Sequence, residues 1–227
     1  MGPRHALPKT ITARVVDRLR DEIRDGALPP GTRLRQAHVA EAYGVSTTPV
    51  REAFAALERE GLLQSSAHRG VYVFEPSVED LRELYEVRIP LEALATERAV
   101  PNLDEEHFGR LSELLREMAT ADRRGDFSRS GELNSEFHSL IYSAADRVQL
   151  VKLIADLRDS SRAYTSLFPV LVGRLEETER EHEAIYEACL DRAPDRAAQA
   201  MTAHLRHTVD VVSRSLEAGG HGTDGAS

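Results

Sequence analysis

Between Gln36 and Leu63, QAHVAEAYGVSTTPVREAFAALEREGLL, apolar positions recur at helical spacing on both sides of a glycine. Ala37, Val39, Ala40 and Ala42 mark a short helix of small residues, and Val50, Phe54, Leu57 and then Leu62 form the inward stripe of a second. Gly44 supplies a position between them that tolerates positive φ, and Ser46 stands where an N-cap oxygen would start the next helix. Pro49 falls in the first turn, where its missing N–H removes no intrahelical bond, and Gly61 closes the helix. Upstream, Ile11, Val15, Val16, Leu19 and Ile23 predict a third amphipathic helix over Thr10 to Asp25. Leu28 to Leu34, LPPGTRL, reads as a turn and a short strand. Gln64 to Phe74 reads as two extended pieces joined by SSAHRG. Three helices followed by this hairpin predict a winged helix-turn-helix.

The second helix of the pair presents Thr47, Thr48, Arg51, Ala55 and Arg59 away from its stripe and keeps Glu52, Glu58 and Glu60 off its leading edge. Such a slim, polar and basic face suits the major groove, where Arg bonds guanine O6 and N7 and Thr reaches phosphate or a thymine methyl. At the wing, Arg69 and Gly70 offer a backbone that can approach the minor groove or a phosphate. The candidate DNA-contacting residues are Arg33, Arg35, Ser46, Thr47, Thr48, Arg51, Arg69 and Gly70. An ordinary helical hairpin with a surface β-turn is the competing reading.

Beyond Pro76 the strand pattern stops. Ser77 and Asp80 form a capping box, and helices are predicted over 77–99, 104–123, 127–145, 147–166, 172–192 and 194–217. Pro101, Gly125, Asp146, Pro169 and Pro194 separate them. The expected fold is mainly α: a winged helix-turn-helix over 8–76 and an antiparallel six-helix bundle over 77–218. Residues 219–227 lack an apolar anchor and are expected to be disordered.

Charge changes this picture at Pro76. The whole chain carries a formal −9, which disfavours nucleic acid, but residues 1–76 hold eleven Lys and Arg against nine Asp and Glu, about +2. The remainder holds eighteen against twenty-nine, about −11, so only the first part can approach phosphate. The segment MGPRHALPKT lacks the apolar core of a secretion signal, no membrane span is present, and the lone Cys189 offers no intramolecular disulfide. A reducing cytoplasm is the expected location.

Polar residues that interrupt apolar stripes carry the candidate chemistry, because burying one costs free energy unless it finds a partner. Arg88 interrupts Leu81, Leu84, Tyr85, Leu91 and Ala95, and is expected to point inward; a surface pair with Glu92 one turn later is the alternative. Pro90 is expected to kink this helix near Arg88. Asn134 and His138 lie at i,i+4 on the stripe of Phe127, Phe137, Ile141 and Ala145. His182 shares a stripe with Leu175, Ile185 and Cys189, and His204 shares one with Ala197, Met201, Thr208 and Val211. Three helices thus each offer an imidazole inward, and imidazole nitrogens suit zinc, nickel and similar cations. His207, one turn after His204, reads as a surface residue.

The segments PPGTRL, VAEAYGVSTTPVREAFAALEREGLL and RGVYV resemble the GntR family of bacterial transcription regulators over nearly all of residues 10–76. Many relatives place a second arginine where this chain has Thr47. EVRIPLE, LNSEFH, REHEAIYEA and AHL resemble the FCD ligand-binding domain of the FadR subfamily, in its six-helix, VanR-like form. That resemblance implies a divalent metal held by His138, His182 and His204 with an aspartate at the place of Asn134. Here the aspartate is an asparagine, which removes one negative charge and predicts weaker metal binding. It further implies a homodimer on a palindromic operator of double-stranded DNA, released by a small organic or sugar acid, with Arg88 and Tyr164 as candidate effector-binding residues. Two other readings compete: a metal-dependent hydrolase built on the three histidines, for which no general base stands at a convincing spacing, and an acyl-chain sensor without metal.

Overall fold

Thr10 caps the first helix by accepting the Ala13 N–H, and α1 runs Ile11–Arg24 with Val15, Val16 and Leu19 buried. Ile11, read above as the first core position, is half exposed, because the first turn overhangs the core. The computed structural model describes residues 10–66, 70–167 and 175–219. Arg69 and the tail from residue 220 lie outside the described residues.

After β1 (Arg33–Leu34) come α2 (Gln36–Tyr43) and α3 (Thr47–Arg59). Gly44 ends α2 in the left-handed conformation, φ 65°, which a side chain would strain. Ser46 occupies the N-cap of α3, but its hydroxyl makes no capping bond. β2 (Leu63–Ser66) and β3 (Gly70–Val73) form the wing, and β3 pairs antiparallel with both β1 and β2. Leu63 opposes Val73, and both are buried, so the alternation of the hairpin turns one face onto the helices. Leu19, Val50, Phe54 and Leu57 join them in one core.

The chain divides into two compact units, Met1–Pro76 and Ser77–Ser227. In the second, Ser77 caps α4 (Val78–Ala99) by accepting the Asp80 N–H. A 3-10 turn over Val100–Asn102 follows, then α5 (Glu105–Arg123), α6 (Phe127–Ser143), α7 (Val148–Leu167), α8 (Leu175–Leu190) and α9 (Pro194–Gly219). α4 packs on α9, α7 and α6; α5 lies on α6 and α8; α8 lies on α9. Among the described residues no strand interrupts these six helices. α4 is assigned as one helix through Pro90, which sits on its exposed side. Phe127, assigned above to the α6 stripe, is exposed at the first position of its helix. The side chain of Leu175 lies outside the described residues.

Candidate DNA-contacting surface and histidine centre

Three acidic side chains of the first unit, Glu22, Glu52 and Glu60, are engaged by partners within it. Glu60, at the end of α3, receives a two-pronged bond from Arg20 of α1, 3.0 Å from Nε and 2.8 Å from Nη2. Glu52 accepts from the Thr12 hydroxyl at 2.7 Å, and Glu22 takes the Tyr43 hydroxyl at 2.7 Å while Arg18 lies over the Tyr43 ring. Thr47, Thr48 and Arg51 at the start of α3 are left exposed, with Ser46 before them. Arg33, Arg35 and Arg51 make no ion pair among the described residues, so their charge is available to phosphate or base edges. Gly70, at φ 76°, opens β3 beside the Arg33 guanidinium; a side-chain carbon there would lie 3.5 Å from it. Arg33 and Gly70 are thus neighbours at the wing.

In the second unit, α6, α8 and α9 bring His138, His182 and His204 together, and all three are buried. One ring nitrogen from each lies within 4.8 Å of the others. His138 and His182 approach Nε2 to Nε2 at 3.3 Å, and the His204 ring stacks 5.1 Å from that of His138.

The second nitrogen of each ring has a partner that sets its tautomer. The Tyr142 hydroxyl donates to Glu92 Oε2 at 2.5 Å, so at 3.3 Å from His138 Nδ1 its oxygen is the acceptor and Nδ1 carries the hydrogen. A backbone hydrogen bond to Thr178 holds a ring N–H of His182 and partly offsets the effect of burial on it. Glu181 Oε2 lies 2.9 Å from His204 Nδ1. With those partners, the Nε2 atoms of His138 and His182 are left facing one another at 3.3 Å, and His204 offers a third ring nitrogen to the same point. Burial, reinforced by the charge of Arg158, pushes His138 far below its usual pKa; burial does the same to His182. Both are neutral imidazoles, the form that donates to a metal. The donor set therefore fits a divalent cation.

Beside the histidines lies a buried charged network that the stripes did not reveal. Glu92 is fully buried; its Oε1 takes Arg88 Nε at 2.7 Å, and Arg158 Nη1 stands 3.7 Å from its Oε2. Arg88 does point inward, as expected, and it pairs with Glu92 there in the interior, not on the surface. Its Nη1 donates to the Ser161 hydroxyl at 2.6 Å, and it lies over the Tyr85 ring. Arg158 lies over the Tyr142 ring, 5.7 Å from its centre. Burial and the Glu92 charge push the Tyr142 phenol well above its ordinary range, so it remains a hydrogen donor.

Asn134 sits one turn before His138, half-buried, with no hydrogen-bond partner for its amide among the described residues. Tyr164 is buried toward the start of α4, where Ser77 backbone and the Asp80 charge act on its hydroxyl. His207 is not a free surface residue: it bonds Glu181 through Nδ1 and stands 3.5 Å from Glu177. Tyr142, Arg158 and Glu181 were missed by pattern alone, and Glu92 was legible only as a surface partner of Arg88. Tyr142 at i,i+4 from His138 and Glu181 beside His182 were the available signals.

A winged helix-turn-helix with an unpaired basic face, in one chain with an all-helical unit, defines a DNA-binding transcription regulator. Residues 11–73 match the family described as bacterial regulatory proteins, gntR family, and residues 83–207 match the FCD domain. The chain belongs to the GntR family of transcription regulators, in its FCD-bearing branch. It is 31% identical over 204 residues to the HTH-type transcriptional regulator YdhC of Bacillus subtilis, covering 89% of this chain and 91% of that protein. It is 30% identical over 194 residues to the HTH-type transcriptional repressor RspR of Escherichia coli, covering 86% and 85%. A GntR-type putative regulator from Rhodococcus sp. RHA1 superposes with a TM-score of 0.61 at 26% identity, covering 88% of this chain and 96% of that one. The family and these relatives are transcription regulators, not enzymes, which removes the hydrolase alternative. Among the described residues no helix is long and apolar enough to cross a membrane.

Proposed function

We propose that this regulator is a repressor that binds a palindromic operator as a homodimer and releases it when a small organic or sugar acid enters the second unit. A divalent cation, zinc or nickel, would be held there by His138, His182 and His204. The observation that carries this reading is the convergence of three buried imidazoles, one ring nitrogen of each within 4.8 Å of the others. Bound there, the cation would supply a Lewis-acidic positive charge that favours an anionic effector. Asn134 can add only a neutral amide oxygen, so the site depends on its imidazoles.

Arg88 and Arg158 add cationic charge to the same interior and favour an anionic ligand. Arg88 is already shared between Glu92 and Ser161, so a carboxylate that uses it competes with Glu92. Effector binding would shift the populations of dimer geometries and so the spacing of the two recognition helices. The repressor named RspR and a probable D-xylose utilization operon repressor of Paenarthrobacter nicotinovorans, 29% identical over 208 residues, support the repressor reading. A fatty-acyl effector is less well supported, since three imidazoles and two arginines make the interior polar.

Elemental analysis of the purified protein tests the metal reading directly. About one zinc or nickel per chain is expected, lost when His182→Ala and His204→Ala are combined. Retention of metal by that double variant would overturn the assignment.

A further inference from the structure

We infer that Glu181 is a positioning residue of the histidine centre and supplies, through His204, the negative charge that Asn134 does not. This rests on the metal reading above and assigns the role to a residue outside the three-histidine set.

Glu181 lies on α8 directly before His182 and bridges two imidazoles of α9. Its Oε2 stands 2.9 Å from His204 Nδ1, and its Oε1 bonds His207 Nδ1. A carboxylate on Nδ1 keeps the hydrogen there, and the His204 nitrogen left for the cluster is then Nε2 with its lone pair exposed. The other two rings are fixed by neutral partners, Tyr142 and the Thr178 backbone. Glu181 is therefore the carboxylate whose bond leads straight into a cluster ring. Three neutral imidazoles and one amide leave a divalent cation uncompensated, and a carboxylate one bond further out raises the donor strength of its ring while opposing the cation's charge.

The competing role is structural: Glu181 could serve only to tie α8 to α9 through His207, which Glu177 also approaches. The two roles separate by substitution. Full-length wild type protein, Glu181→Gln, Glu181→Ala and His207→Ala are titrated with Zn²⁺ alone against a chromophoric chelator. Loss of a residue that orients a ligand typically weakens metal binding roughly 10- to 100-fold. Glu181→Gln keeps the shape and an acceptor for Nδ1–H but not the charge, so a loss near tenfold is expected; Glu181→Ala approaches a hundredfold; His207→Ala stays within about threefold. Adding Asn134→Asp to Glu181→Gln restores most of the loss, because it returns the missing charge.

Equal losses in His207→Ala and Glu181→Ala would overturn the proposal in favour of the α8–α9 tie. Unchanged Zn²⁺ affinity in Glu181→Gln, beside a wild type that binds, would overturn the charge role alone. A wild type that binds no divalent metal would overturn the metal reading itself, and the role of Glu181 with it.

Discussion

Arg88 Nε lies 2.7 Å from Glu92 Oε1, one helical turn apart on α4, with both side chains buried. An i,i+4 pair on a surface contributes only a few tenths of a kcal/mol, about 0.2 to 0.5. Buried, the same spacing becomes a condition of folding, since either partner alone leaves a charge in a medium that cannot solvate it. Removing one side of such a pair costs about 3 to 5 kcal/mol. Arg88→Met is expected to destabilise the second unit strongly, whereas Arg88→Met with Glu92→Gln recovers part of the loss. Urea unfolding of the four proteins should give a coupling on the order of 1 to 3 kcal/mol. Additive losses would mean that the two side chains act independently.

Arg158 is the cation of this network held least tightly, 3.7 Å from Glu92 and partly exposed at 14% of its side chain. If a carboxylate effector enters here, Arg158→Ala removes a charge-assisted hydrogen bond of about 1.5 to 3 kcal/mol. The effector concentration for half release of an operator fragment should rise roughly 10- to 100-fold, with operator affinity in its absence unchanged. An unaltered release curve would place the carboxylate elsewhere.

Arg51 projects from the exposed face of α3 one turn after Thr47, without an ion pair among the described residues. Arg51→Ala is expected to cost about 1 to 3 kcal/mol on the specific operator and to relax preference at one base pair. Fluorescence anisotropy against operator and random duplexes distinguishes the roles: equal losses on both would make Arg51 a phosphate contact.

Asn134 stands where an acidic side chain would add charge to the histidine centre. Asn134→Asp should tighten zinc binding roughly tenfold or more, read by chelator competition. No change would mean that this position does not reach the metal.

Cys189 is fully buried on α8, and burial pushes its thiol up to about 12. At pH 8 roughly one such thiol in ten thousand is ionised, against about a quarter of ordinary cysteines. A thiol reagent should therefore label the native protein only on unfolding, and labelling should become fast in denaturant. Rapid labelling without denaturant would show that α8 opens locally.

The order and type of the elements were determined by the chain itself. Helical spacing of Val50, Phe54 and Leu57, the turn at Gly44, and prolines and caps between the later helices are local signals, because they depend on residues within a few turns of one another. That His138, His182 and His204 turn inward was legible from the same periodicity, since each occupies an apolar stripe. Which groups meet them was not. Glu92 is 46 residues from His138 and touches it only through Tyr142; Glu181 reaches across to α9; Arg158 comes from α7. A charged residue on a helix reads as surface until packing removes the water around it, and only the approach of α4, α7 and α8 to their neighbours does that. The Arg88–Glu92 spacing was visible as a pair, but tertiary structure alone made it a buried one.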